Sequence, residues 1–287
     1  MKPVYLYLLS LLFVPLAGAA EDRFANVTIK TVPVVGNVYV LYGSGGNIGV
    51  SRGADGILMI DDQYAPLATR IKAALTELGS DTPAFVLNTH YHGDHTGSNA
   101  AFGRDSIIMA HSRVRTRLLN GEEKLPAEAL PVITYEQQAS IFFNGEEIRL
   151  VHMPAGHTDG DTLVYFTGSN VVHTGDTFWN GRFPYVDLEA GGSVQGLTSN
   201  TGIVLGTVND TTSIIPGHGM LASKQDLRDF YDMLVQTTAA VTAAMAAGHT
   251  VEQIVAAGLD PRWQSWGQGF INEERWIRTI FTSFTSQ

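Results

Sequence analysis

The spacing of apolar positions changes several times along this chain, and the changes divide it into strands and helices. Over residues 27–60, short β-branched and aromatic runs alternate with Gly and Asn turns. The stretch "NVYVLYGSGGNIGVSRGADGILMID" predicts two or three antiparallel strands joined by tight turns. The period then lengthens to that of a helix: Pro66 sits near its start, Leu67, Ile71, Leu75 and Leu78 form one stripe, and Gly79 ends it. Continuous apolar runs at 84–88 and 106–110 predict buried strands, the second leading into a helix over 111–119. "SIFFN", "EEIRLVHM" and "DTLVYFTG" predict three more strands, and "NVVHTGD" (170–176) a further one ending at an aspartate. A helix around 195–205 and the short strand "SII" follow. Ser223 then caps a long helix, with Asp226 completing a capping box. Leu227, Phe230, Tyr231, Leu234 and Val235 are the expected buried face of that helix. Helical segments at 251–257 and 273–284 close the chain.

Strands and helices therefore recur in two similar halves. Stacked sheet on sheet with helices outside, they predict an α/β protein built as a four-layer αβ/βα sandwich. No Pro- or Ser-rich linker divides the chain, so residues 21–287 are expected to form a single domain. Residues 1–20 carry one Lys, an apolar run over 4–14, Pro15 and a string of small residues. That is the layout of a secretory signal peptide cleaved after Ala19 or Ala20, and the run is too short to span a bilayer. The mature chain is expected to be exported, periplasmic or secreted, with no transmembrane anchor.

Charge narrows the partners. Eighteen Lys and Arg against 28 Asp and Glu give 18 − 28 = −10. That balance repels phosphate backbones and points to a small-molecule substrate rather than nucleic acid. The sequence carries no signal for oligomeric state. It also contains no cysteine, which removes disulfides, thiolate ligands and a cysteine nucleophile and leaves His, Asp and Glu as metal-ligand candidates.

Those candidates are concentrated in "NTHYHGDHTGSN" (88–99). His90 and His92 lie two apart directly after a strand, so on extended backbone both rings face one side. A helical HExxH site needs a spacing of four and does not match. Asp94 and His95 follow where the chain turns at Gly93 and Gly97. Four more ligand-type residues come just after apolar runs: Asp61 in "ILMID", His157 in "PAGHTDGD", Asp176 in "VVHTGD" and His218 in "IPGHG". Neighbouring glycines at the last three let backbone approach a packed site.

HxHxDH, a later GHT, an isolated GD and a terminal PGHG, in this order, resemble the motifs of the metallo-β-lactamase fold superfamily. The resemblance runs from about Val27 to the end of the helix beginning at Lys224. It implies metals held by loops along one edge of the sandwich. His90, His92 and His157 would form a three-histidine site with a position open for water. Asp94, His95 and His218 would form a second, with Asp176 bridging the two. Asp61 is implied as a support that hydrogen-bonds the metal-site loop. By motif the site is a hybrid. One subclass of true β-lactamases has a cysteine in the second site; another has a histidine beside the aspartate, as His95 is here, but lacks the bridging carboxylate. Asp176 matches glyoxalase II, lactonases and related hydrolases.

The implied chemistry is that of two Zn2+ ions per chain, with iron or manganese accepting the same ligands. Metal-bound hydroxide would attack an amide, lactone, ester or thioester, with Asp94 and Asp176 as the catalytic carboxylates. β-Lactams are the first named substrate class, with a lactonase or glyoxalase II-like thioesterase as one alternative. A mononuclear iron persulfide dioxygenase-like oxidoreductase is the other. In "DTFWNGRFPYVD", Phe178, Trp179, Arg182 and Tyr185 are the expected substrate-pocket residues, able to hold an apolar ring bearing a carboxylate. His111, His152 and His249 are expected to play no part in the site; His173, on the strand leading to Asp176, is expected to play none either, with a supporting contact to the site as the alternative.

Overall fold

Strand β1 (Lys30–Val35), β2 (Val38–Tyr42), β3 (Ile48–Gly53) and β4 (Gly56–Ile60) form an antiparallel meander, as the alternating pattern predicts. In this computed structural model residues 23–122 and 124–285 are described, so the expected signal peptide lies outside the described residues. Helix α1 (Ala68–Glu77) crosses over to β5 (Phe85–Asn88). Two single-turn helices, α2 (Gly93–Thr96) and α3 (Asn99–Phe102), then lead to β6 (Ile107–His111), α4 (Ser112–Asn120) and β7 (Ile133–Tyr135). From β4 onward the pairing is parallel, completing a seven-stranded sheet in the order β1-β2-β3-β4-β5-β6-β7.

The second sheet has five strands: β8 (Gln138–Phe143), β9 (Glu146–Met153), β10 (Asp161–Phe166), β11 (Val171–His173) and, after α5 (Val194–Thr207), β12 (Ser213–Ile215). Their order is β12-β11-β10-β9-β8. Helices α6 (Lys224–Ala246), α7 (Val251–Ala257) and α8 (Glu273–Thr285) complete the described chain.

Three apolar layers hold four structural layers together. Val40, Leu58, Ile60 and Leu87 of the first sheet meet Ile148, Leu150, Val164 and Phe166 of the second. On the outer face of the first sheet, Ile48, Val50, Met59 and Val86 pack on Leu67, Ile71 and Leu75. On the outer face of the second, Leu163, Val172 and Ile214 pack on α5, α6 and α8 through Leu197, Val204, Phe230 and Ile277. Strands β4 and β5 are covered on both faces, which is why they read as unbroken apolar runs.

Three local details differ from the pattern-based expectation. The strand that opens "NVVHTGD" stops at His173, and Asp176 lies in a 3-10 turn over Gly175–Thr177 that Gly175 permits with φ +49°. Asp94 and His95 lie in the single helical turn α2 rather than in an open turn. Val235 is 40% exposed, because it falls outside the α6 stripe of Leu227, Phe230, Leu234 and Val241. Ser223 caps that helix as expected: its hydroxyl accepts from the Asp226 N–H while the Asp226 carboxylate accepts from the Ser223 N–H.

Candidate metal centre

The C-terminal ends of β4, β5, β9, β11 and β12 converge on one edge of the two sheets, and each is followed by a ligand-type residue or a short segment leading to one. Asp61 follows β4, His90 and His92 follow β5, His157 lies between β9 and β10, Asp176 follows β11 and His218 follows β12. With Asp94 and His95, the fold brings seven ligand-type side chains into two adjacent groups: His90, His92, His157 and Asp176, and Asp94, His95 and His218. In the first, His92 Nδ1 lies 3.1 Å from His90 Nε2 and 2.9 Å from His157 Nε2. In the second, His218 Nε2 lies 3.5 Å from His95 Nε2 and 3.4 Å from Asp94 Oδ2. Asp176 stands between them: Oδ2 is 3.4 Å from both His157 Nε2 and His218 Nε2, and Oδ1 is 3.1 Å from His95 Nε2.

The outward-facing ring nitrogens settle what the inward-facing ones offer. His157 Nδ1 donates to the Tyr185 carbonyl at 2.7 Å, and His92 Nε2 to Asp187 Oδ2 at 2.9 Å. The Thr89 hydroxyl donates to Asp61 Oδ2, so its oxygen is left to accept from His90 Nδ1 at 3.1 Å. With the outer nitrogens carrying the protons, His90 Nε2, His92 Nδ1 and His157 Nε2 turn three lone pairs toward one another. Such an arrangement is repulsive by itself and suits a cation among them. Asp176 gives the same indication: Oδ1 is buried without a hydrogen-bond partner.

Charge is divided unevenly between the groups. Burial pushes His90 well below the ordinary histidine range and His157 down to about 3, so both are neutral donors of a lone pair. Burial acts on His95 in the same sense, but the Asp176, Asp94 and Asp61 carboxylates overrule it and hold that ring well above its usual value. Burial would raise Asp176, yet the surrounding histidines, His218 first, hold it well below the ordinary carboxylate range.

Asp61 sits beneath this arrangement, fully buried. It accepts the Thr89 N–H and hydroxyl, both at 2.8 Å, and lies 2.7 Å from His95 Nδ1. Its backbone is in the left-handed region at φ 60°. Gly46 and Gly217 bring backbone up to the ligands: a Cβ at either would lie 2.1 Å from His95 Cε1 or Asp176 Oδ1.

A cleft of about 750 Å³ opens over Asp94, Asp176 and His218, and Trp179, Arg182 and Tyr185 line it together with Arg23, Tyr64 and Phe270. Phe178 does not reach it. That ring is fully buried against Phe230, 5.2 Å between centroids, because alternate residues of the segment point to opposite sides. The Trp179 ring packs on His218 at 4.1 Å. Arg182 forms no ion pair among the described residues. His173, although buried, shapes the turn before Asp176: its Nε2 donates to the Asn47 carbonyl and its Nδ1 accepts from the Gly175 N–H. His111 and His152 stack on each other at 3.7 Å, outside both groups.

Asp187, Tyr91 and Asp161 also serve this site without having been singled out in the sequence. Asp161 Oδ2 accepts the His157 N–H at 2.7 Å, and burial pushes its carboxyl up to about 7. It belongs to "GHTDGD", four residues beyond its partner, so a turn signal was available. Asp187 is 95 residues from His92, and no spacing announces such a pair.

The family model of the metallo-β-lactamase superfamily matches residues 32–218. The chain is 24% identical over 245 residues to the 2,4-dinitroanisole O-demethylase subunit alpha of Nocardioides sp. (strain JS1661), covering 83% of this chain and 72% of that one. It is 29% identical over 182 residues to a hydroxyacylglutathione hydrolase of Anaeromyxobacter dehalogenans (strain 2CP-C), covering 62% of each. Among solved structures, the stereoselective inverting sec-alkylsulfatase Pisa1 from Pseudomonas sp. superposes with a TM-score of 0.68 at 16% identity. That match covers 90% of this chain but spans half of the sulfatase. A metallo-β-lactamase from Pontibacter korlensis superposes with a TM-score of 0.61 at 15% identity, covering 72% of this chain and 99% of that one. The structural likenesses show the fold; the matched motifs and the span of the family model show the family. This chain belongs to the metallo-β-lactamase superfamily of metal-dependent hydrolases.

Proposed function

We propose that the mature chain is an exported dinuclear zinc hydrolase acting on a carbonyl electrophile in a small anionic substrate. Asp176 carries this reading. This buried carboxylate stands between the groups, with Oδ2 3.4 Å from a histidine of each and Oδ1 3.1 Å from His95 but without a hydrogen-bond partner, which is the placement of a side chain shared by two cations. His90, His92 and His157 would hold one ion and Asp94, His95 and His218 the other, with Asp176 reaching both. The nitrogen and oxygen donor set suits zinc, and iron and manganese accept it too. When bound, the two ions supply Lewis acidity and a water that ionises near neutral pH.

The chain's own residues do the remaining work. Asp94, partly exposed at the cleft floor, accepts a hydrogen bond from the attacking water and sets its direction. Trp179, Tyr185 and Phe270 form an apolar wall beside it. Arg182, without a carboxylate of its own, takes the substrate's anionic group. A ring bearing a carboxylate fits these walls, which makes β-lactams the first substrate class to test. The likeness to a hydroxyacylglutathione hydrolase supports a second class, thioesters. Export is supported by the N-terminal sequence pattern.

The test is elemental analysis of the mature wild type and His218→Ala side by side, followed by a screen of β-lactams, lactones and thioesters. Two zinc ions falling to about one in the variant are expected from the ligand grouping. One iron, little changed in the variant, would overturn the reading in favour of persulfide oxidation.

A further inference from the structure

The three histidines of the first group differ in what holds their outer nitrogen. His90 is held by a hydroxyl and His157 by a backbone carbonyl, while His92 meets a carboxylate, Asp187. They also differ in burial. The His90 and His157 side chains are 1% and 0% exposed and wedged by their surroundings, whereas that of His92 is 17% exposed. It borders a second cavity of about 800 Å³, lined among others by Tyr91, Arg117, Asp187 and Arg275. Although Tyr91 and Tyr185 pack against it, the His92 ring is the one of the three with open space beside it to turn into.

Asp187 is built to prevent that. Its Oδ2 accepts the Tyr91 hydroxyl at 2.5 Å as well as the His92 ring, and its Oδ1 accepts the Ala190 N–H at 3.0 Å. Its own N–H donates to the His157 carbonyl at 2.9 Å. The Tyr185 carbonyl, two residues earlier, holds His157 Nδ1. Residues 185–187 thus form a strap across two of the three histidines. Burial would raise the Asp187 carboxyl, but the hydrogen bonds from His92 and Tyr91 hold it well below the usual range.

We propose that Asp187 is the positioning residue of the first ligand group, fixing His92 as the Nε2–H tautomer so that Nδ1 presents its lone pair to an ion. Its charge also makes that nitrogen a stronger donor. This rests on the two-metal reading above.

The experiment is a Co2+ titration of metal-free wild type, Asp187→Ala and Asp187→Asn, read by absorbance. Exchangeable imidazole N–H signals in the proton spectrum provide the second readout. Circular dichroism of each metal-free protein checks the fold. In Asp187→Ala one ion is expected to bind about 10–100-fold more weakly, with the other unchanged, and one ring N–H signal to broaden by exchange with solvent. Asp187→Asn keeps an acceptor but no charge, so it should retain the signal and show a smaller loss in the same direction. If Asp187→Ala fails to fold, Asp187→Asn decides alone, and unaltered affinity in it overturns the proposal. Two ions bound by folded Asp187→Ala as tightly as by wild type also overturn it. Wild type that binds no second ion refutes the two-metal reading, and this proposal with it.

Discussion

The two ligand groups share Asp176 yet are built for different ends. In the first, His90 and His157 are sealed from solvent, and each of the three histidines has its outer nitrogen tied to a neighbour in the chain. In the second, only His95 is both enclosed and tied to a neighbour; Asp94 and His218 keep 22% and 13% exposure and open onto the cleft, which His92, 17% exposed, also borders. Enclosure strengthens electrostatic attraction and limits movement, so the first group is suited to retention. Exposure leaves the second group room to meet a substrate. One fold edge therefore carries a holding half and a working half.

Replacing one ligand in each half breaks this comparison most severely. His90→Ala is expected to bring hydrolysis down to background and release the first ion, while Asp94, His95, His218 and Asp176 still hold the second. His218→Ala should keep the first ion and a measurable rate. Elemental analysis with steady-state kinetics checks the pair, and equal losses in the two variants would contradict the division of labour.

Asp61→Ala is expected to act next most strongly, and on the second group. It strips an acceptor from the Thr89 N–H, the Thr89 hydroxyl and His95 Nδ1. Unsatisfied buried donors make a loss of about 3 kcal/mol in folding stability reasonable, readable by denaturant unfolding. Metal affinity should fall about 10–100-fold at the His95 group and less at the other.

The smallest effect is expected at the cleft wall. Arg182→Ala should raise KM about tenfold for a carboxylate-bearing substrate, the worth of one charge-assisted hydrogen bond, with kcat nearly unchanged. A neutral amide of the same substrate should be hydrolysed alike by both proteins. An equal loss on the neutral substrate would show that Arg182 packs the cleft rather than binding an anion.

Much of the site was legible because its ligands sit where strands end. A strand places its last residues at a sheet edge, and His90, His92 and His218 inherit their direction from β5 and β12. Partnership across long separations was not legible. Asp187 and His92 meet only because residues 185–187 fold back over the β5 end. Phe178 and Trp179 are neighbours of similar character, yet one packs on Phe230 and the other on His218. Val235 looked as apolar as Leu234 but lies off the stripe of α6.

By itself, the sequence determined the elements and the layered architecture, because periodicity is a local property of the chain. The dense run from His90 to His95 marked four candidate ligands, and the resemblance carried by the ordered motifs implied His157, Asp176 and His218 and the division into two groups. Only the tertiary structure decided which ring nitrogen each histidine presents, what holds its other nitrogen and which aromatic residues face the cleft. Those are matters of a few ångströms between residues far apart in sequence, set by how two sheets pack rather than by anything within a single segment.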